Sequence, residues 1–412
     1  MRIRRGDEVS RPAPAADVEG AVREILQEVR RDGDAAVREL TERFDHADLG
    51  PEQLSVDPRE LEGSLGSLEP EVLAALRTAI ANVRAVVAAQ LRDPVVVELD
   101  AGQRIEVAEV AVRRAAIYVP SGRAPYPSTV VMGAVTARAA GVEEIVVCAP
   151  PGPGGRAHPV ILAACVLCEV SEVYRMGGAQ AIAALAYGTE SVGRVDVIAG
   201  PGNAYVQEAK RQVAWTEVGI DGIAGPSELA VIADGDGLDP LPIALDLLAQ
   251  AEHGPDSLLW LLCPDGDLRE AVIGQVERLA GERPSVADAV LEVADAGGAR
   301  ALELAERLAP EHLELIGERA EALAGRVRRA GCVFVGAAAA TAFGDYVAGS
   351  NHVLPTGGAA RFQSALSAST FRRRMARVSL PGESPARLAP AGAALARAEG
   401  FPVHAESMER RA

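Results

Sequence analysis

Beyond about residue 115 the chain switches repeatedly between short apolar runs and helix-length segments, and this alternation constrains the fold more than any other feature. Ala116-Ile117-Tyr118-Val119, Glu144-Ile145-Val146-Val147, Glu172-Val173-Tyr174 and Val195-Asp196-Val197-Ile198 read as strands, with helices between them that include those starting at Ser128 and Ala179. A second series begins near Ala224. It runs through Leu229-Ala230-Val231-Ile232, Leu258 to Leu262, Leu291-Glu292-Val293 and Cys332 to Val335. Strands joined by helix-length crossovers pair in parallel, so an α/β protein with mostly parallel sheets is expected. Such sheets bind ligands at the carboxyl ends of their strands, where the loops here are rich in glycine: Pro120-Ser121-Gly122, Gly177-Gly178-Ala179-Gln180 and Gly200-Pro201-Gly202-Asn203. The last two precede helices, whose free amides suit a phosphate. No Gly-x-Gly-x-x-Gly accompanies them, and tight strand-to-helix turns explain the glycines equally well.

At 412 residues, 49% of them hydrophobic, the chain can bury two or three cores. Gly, Pro or charges interrupt every apolar run before it reaches membrane-span length, and Met1-Arg2-Ile3-Arg4-Arg5 has no apolar signal core, so a cytoplasmic protein without a membrane span is expected. The formal charge of −17 argues against nucleic acid or an anionic membrane as partner, and Arg372-Arg373-Arg374 reads as a solvated helix face. The five cysteines form no disulfide framework; Cys165-x-x-Cys168 lies within a run that reads as buried helix. Ahead of the alternating region come two amphipathic helices between Asp17 and about Phe44, broken at Asp32-Gly33-Asp34, then a helix from Glu71 to Gln90 and β-like runs at 95–97 and 105–107. These suggest scaffold or subunit contact. The tail after Gly357-Gly358 reads as helical, with a break at Leu380-Pro381-Gly382.

Chemistry concentrates in three places. Gln250 and His253 stand three residues apart at the end of an apolar helical run and share a helix face. They can fill two corners of a metal site, and the chain offers Asp345 in a Gly-Asp-Tyr loop and His404 near its end as further ligands. The plainer alternative is a helix-terminal His253 favoured by the helix dipole and a His404 that dangles in solvent. Glu311 and His312 are adjacent just past a helix, where a turn lets both face one cavity, a base that activates water beside a proton shuttle. The third place is the loop from Gly344 to Pro355, whose density of Gly, Asp, Asn and His is that of a binding loop.

Taken in order, these segments resemble the histidinol dehydrogenase family. The resemblance covers nearly the whole chain and is carried by Tyr118-Val119-Pro120, Gly177 to Ala184, Gly200 to Val206, Ala224-Gly225-Pro226-Ser227-Glu228, Gln250 to Ser257, Ala309 to Glu314, the 344–355 loop, and Glu399 with His404. It implies two incomplete Rossmann-like (doubly wound) domains, an N-terminal helical segment and a small helical tail. After an arm at 1–15, residues 16–113 and 228–358 are expected to form the domain with the metal site, 114–227 the NAD-binding domain, and 359–412 a tail that contributes to dimer and active site. The resemblance also implies one zinc per subunit on Gln250, His253, Asp345 and His404, with Glu311 and His312 as acid/base residues. Tyr118, Gln180 and Asn203 match NAD-binding positions. Ser227, His352 and Glu399 match substrate contacts, joined by His312 and the metal ligands. The implied reaction is the four-electron oxidation of L-histidinol through L-histidinal to L-histidine, run by an intertwined homodimer. Ser121 and Gly222 depart from the family pattern. The near alternative is a related zinc and NAD enzyme that oxidises another small polar alcohol to its acid. A silent metal-binding scaffold is disfavoured by the presence of both Glu311 and His312, and a zinc hydrolase leaves the glycine loops unexplained.

Overall fold

The computed structural model describes the chain except residues 12–17, 121–123 and 153. The expected helix start at Asp17 and the Ser121-Gly122 part of the first glycine loop therefore lie outside the described residues. Strand β1 (Arg2–Gly6) opens the chain, and β2 (Val95–Glu98) and β3 (Arg104–Ala111) follow the first helices. Next come β4 (Arg114–Tyr118), β5 (Glu144–Ala149), β6 (Glu172–Arg175), β7 (Val197–Ala199) and β8 (Gly219–Ile220), which form a parallel sheet in the order β6-β5-β4-β7-β8. A second parallel sheet contains β9 (Glu228–Ala233), β10 (Leu258–Leu262), β11 (Val290–Ala294), β12 (His312–Ile316) and β13 (Cys332–Val335), in the order β1-β11-β10-β9-β12-β13. Finally β14 (Arg372–Ser379) joins β3 and β2 in an antiparallel sheet.

In each parallel sheet the first strand of the alternating series, β4 or β9, lies centrally, with two later strands on one side and two on the other, and β1 adds an edge strand beside β11 in the second sheet. This is the doubly wound arrangement expected from the alternation, with its switch points between β4 and β7 and between β9 and β12. Helices cover both faces, so the interiors of the central strands are apolar: Ala115, Ala116 and Ile117 of β4 and Leu229 to Ala233 of β9 are all buried.

The expected domain division is corrected by the packing. Residues 16–113 do not join the second sheet: helix Glu19–Asp45 packs with helices Gly178–Tyr187 and Ala204–Val213 on one face of the β4–β8 sheet, and helix Pro70–Ala88 lies on its other face. Periodicity gave each helix a buried stripe but could not say which sheet would receive it. The expected break occurs at Gly33, whose non-helical backbone (φ 56°, ψ −133°) separates two helices within Glu19–Asp45. Part of the expected arm at 1–15 is β1, a parallel edge strand on β11.

The tail is also corrected. Arg372-Arg373-Arg374 lies on strand β14, not on a helix, because its arginines find acidic partners on β3. The register sets Arg374 opposite Glu109 and Arg377 opposite Glu106, with ion pairs of 3.4 and 2.5 Å, and such opposed charges favour an antiparallel ladder. Helices Ser384–Ala398 and Pro402–Glu409 follow and pack on each other around Ala393, Ala396 and Ala405. No helix among the described residues is long and apolar enough to cross a membrane.

A buried ion pair braces the loop after β7. The Lys210 ammonium pairs with the Asp221 carboxylate and donates to the Gly200 carbonyl at 3.0 Å, while Gly200 N–H donates to Asp221 at 2.8 Å. Gly200 has φ 126°, and a Cβ there would lie 2.1 Å from the Tyr118 carbonyl, so only glycine fits this approach. Removing one member of a buried pair leaves the other charge unpaired, so Lys210→Met should lower stability by about 3–5 kcal/mol in chemical denaturation. An unchanged unfolding midpoint would show that the pair does not brace this loop.

Candidate active site

The glycine loops at Gly177-Gly178 and Gly200 to Gly202 occupy the carboxyl ends of β6 and β7, as expected for a parallel sheet. Glu311 and His312 sit elsewhere, at the amino end of β12, beside Glu228 at that of β9. The two edges meet: Thr129, in the helix after β4, lies 3.4 Å from His352 Nε2, Gly225 N–H donates to Thr356 Oγ1, and Gln363 donates to the Asp221 carbonyl at 2.8 Å.

Helix Gly298–Leu308 ends at Ala309 in the left-handed conformation (φ 46°), which turns the chain into β12 and aims Glu311 and His312 into one buried space. Their side chains approach to 3.6 Å. The Glu311 carboxylate accepts the Glu228 N–H at 2.8 Å, and Glu311 N–H returns a bond to the Glu228 carboxylate at 3.2 Å. His312 Nδ1 lies 3.0 Å from the Glu228 carbonyl, which only a protonated Nδ1 can use, so the neutral ring leaves Nε2 as its basic atom. Nε2 faces the Asp345 carboxylate at 3.7 Å. His352 Nδ1 similarly lies 2.8 Å from the Asp345 carbonyl.

Electrostatics divide the labour. Burial pushes the Glu311 carboxyl up to about 8, with His312 opposing and Asp345 adding to the rise. For His312 burial acts downward, but Glu311 and Asp345 outweigh it and hold the imidazole above its ordinary value. Asp345 resists burial through its bond to His312 and the nearby His312, His352 and His253 rings, so its carboxyl stays below the usual range and is ionised.

Gln250 lies buried near the end of helix Pro240–Ala251, and its amide nitrogen has no partner. His253 follows in the turn, exposed at the surface yet within electrostatic reach of Asp345 and His312. Asp345 sits on helix Thr341–Tyr346, which packs against the Gln250 helix. Ser227, half-buried, immediately precedes β9. Thus Glu311, His312, Asp345, His352 and His253 come together. Glu399 and His404 do not: both are exposed on the tail helices, and the ring neighbour of His404 is Phe401 at 5.3 Å. Among the described residues no group of His, Cys, Asp or Glu side chains converges well enough to hold a metal within one chain.

On the facing edge, the buried Tyr118 hydroxyl accepts the Gly178 N–H at 3.1 Å, and Gln180 donates to Asp45 at 3.4 Å. Asn203 caps helix Ala204–Val213, its side-chain oxygen accepting from Tyr205 and Val206 N–H at 3.0 and 3.1 Å. Sequence reasoning missed Asp45, Glu228, Asp246 and Glu314. Glu314, on β12, accepts the Thr341 N–H at 2.9 Å and bonds to Asp246, one turn before Gln250. Burial pushes Glu314 up to about 8 and Asp246 to about 6, so the two carboxyls share a proton near neutrality and tie three site-bearing elements together. An acid two residues after His312, between the leucines of β12, was the available signal.

Buried Glu311 and His312 where two doubly wound sheets meet define the class, an α/β enzyme. The histidinol dehydrogenase family model matches residues 10–412. Histidinol dehydrogenases from a Synechococcus strain and from Cereibacter sphaeroides are 45% and 46% identical over 400 and 404 residues, covering 95% and 96% of this chain and 92% of each relative. The crystal structure of histidinol dehydrogenase from Elizabethkingia anophelis superposes with a TM-score of 0.92 at 30% identity, covering 100% of this chain and 98% of that one. The chain belongs to the histidinol dehydrogenase family, which performs the last steps of histidine biosynthesis.

A carboxyl held near 8 acts as a base only as the pH rises through that value. Turnover should therefore climb across about pH 7 to 9, and Glu311→Gln should abolish that limb and cost about 100-fold in kcat. A native profile flat across this range would contradict the role.

Proposed function

We propose that the protein is a cytoplasmic, zinc- and NAD-dependent homodimer that oxidises L-histidinol through L-histidinal to L-histidine. The observation that carries the reading is the buried array of Glu311, His312 and ionised Asp345, set against a glycine-lined edge. The residues fit the metal. Gln250 is buried with an incompletely bonded amide, Asp345 is anionic and His253 supplies imidazole, an oxygen and nitrogen donor set that suits zinc. His404 of a second copy would complete it. Tyr118, Gln180 and Asn203, beside the amino termini of helices Gly178–Tyr187 and Ala204–Val213, fit an anionic dinucleotide.

When bound, NAD accepts a hydride in each oxidation, and zinc, which has no redox chemistry, orients and polarises the substrate. His312 Nε2 takes the alcohol proton as the first hydride leaves carbon. Glu311 then removes a proton from the water whose oxygen adds to the aldehyde carbon, and His312 takes the hydrate proton as the second hydride departs. The balance is one alcohol, one water and two NAD converted to one carboxylate, two NADH and three protons. Burial of Glu311 and His312 keeps competing water from the aldehyde.

The dimer reading is supported by apolar surface left open on both sides of the required contact. Leu395, Phe401 and Val403 are exposed around Glu399 and His404 on the tail, and Phe343 and Tyr346 are exposed beside Asp345. A second copy's tail would cover the latter and bring Glu399 to the substrate beside Ser227 and His352.

Protein supplied with L-histidinol and excess NAD should yield about two NADH per histidinol, with the rate lost on chelation and restored by zinc. A yield near one, or a rate indifferent to the chelator, would contradict the reading. His312→Gln should retain bound zinc while turnover falls by about 10²- to 10⁴-fold.

A further inference from the structure

We propose that Glu228, charge-paired with Arg11 of the amino-terminal segment, is the positioning residue that aims Glu311 at water in the second oxidation. The inference rests on the reading of Glu311 as the water-activating base. The Glu228 side chain is fully buried, and among the described residues its carboxylate meets only donors: Glu311 N–H at 3.2 Å, Gly357 N–H at 2.9 Å and the Arg11 guanidinium, with Nη2 at 3.1 Å. Its backbone N–H donates to the Glu311 carboxylate and its carbonyl faces His312 Nδ1. One residue thus contacts both members of the acid–base pair. It holds them differently, however. His312 depends on the Glu228 backbone, which a side-chain substitution leaves in place. Glu311 is held by a reciprocal exchange that includes the Glu228 side chain, so its orientation is the more sensitive.

Arg11 makes this arrangement tolerable. A buried carboxylate beside a second carboxyl group needs a counter-charge, and Arg11 is the cation that pairs with it. Arg11 is itself fixed by a bond from Nη2 to the Leu308 carbonyl at 2.7 Å and by lying over the Trp260 ring at 5.5 Å. Leu308 is the last residue of the helix that leads into Glu311, so Arg11 braces the turn from both sides. Because every group around the Glu228 carboxylate is a donor, the amide of Glu228→Gln would set a donor against a donor.

The test uses the full-length enzyme and its variants Glu228→Gln, Arg11→Gln and Arg11→Lys, with histidinol and histidinal supplied separately and thermal melting recorded for each. For Glu228→Gln and Arg11→Gln, kcat with histidinal should fall about 10-fold or more, with KM for histidinal within about two-fold and a smaller fall in histidinol oxidation. NADH per histidinol consumed should then drop from about two towards one as trapped histidinal accumulates, with partial recovery in Arg11→Lys. If Glu228→Gln does not fold, Arg11→Gln decides. Equal losses in both oxidations, a change in KM alone, or unchanged partition would overturn the proposal, because a merely structural role lowers both steps together. Wild-type protein giving no NADH from histidinol would instead sink the underlying reading, and the proposal with it.

Discussion

Ionisable groups can be buried together only if each has a counter-charge or a hydrogen-bond partner, and the amino ends of β9 and β12 are built around that requirement. The two strands are neighbours in parallel register, with His312 opposite Leu229 and hence Glu311 opposite Glu228. Desolvating an unpaired ion costs several kcal/mol. Here Asp345 is compensated by imidazoles, Glu228 by Arg11, and Glu314 with Asp246 by sharing a proton. Gln250 is left with an amide nitrogen that has no partner among the described residues.

Two sheets of the same winding contribute opposite edges to the cleft. The β4–β8 sheet presents strand carboxyl ends, glycine turns and helix amino termini, a positive field suited to phosphates. The other sheet presents strand amino ends, where β9 and β12 begin and their backbone groups are free to hold Glu311 and His312. Separating the glycine turns and helix amino termini from the buried carboxyl and imidazole groups lets each edge keep its own polarity. The Lys210–Asp221 pair and Gly200 serve the first edge, and Arg11 and Glu228 the second.

The alternation of strands and helices was legible because parallel strands buried on both faces must be apolar throughout, and the spacing of Gln250 and His253 or the adjacency of Glu311 and His312 needed no tertiary knowledge. What escaped depended on contacts between distant segments. The stripe on helix Glu19–Asp45 is the same whichever sheet it covers, and Arg372–Ser379 became a strand because Glu106 and Glu109 lie across from it. Glu228 looked like the end of a turn motif, and only the fold reveals the donors converging on it. Asp45 likewise meets Gln180 only through a contact between distant segments. The placement of His404 would be of the same kind if, as proposed, it serves the site of a second copy.

The central claim is that each site combines the Gln250, His253 and Asp345 of one subunit with the His404 of another. The direct measurement mixes two inactive variants, Glu311→Gln and His404→Asn, lets subunits exchange through mild denaturation and refolding, and assays histidinol oxidation. Half of the random dimers are mixed, and one of the two sites in each mixed dimer has an intact body and an intact tail. Recovery to about a quarter of wild-type activity is therefore predicted. A mixture that stays as inactive as its components, with exchange verified by mass, would show that the tail serves its own subunit and would contradict the account.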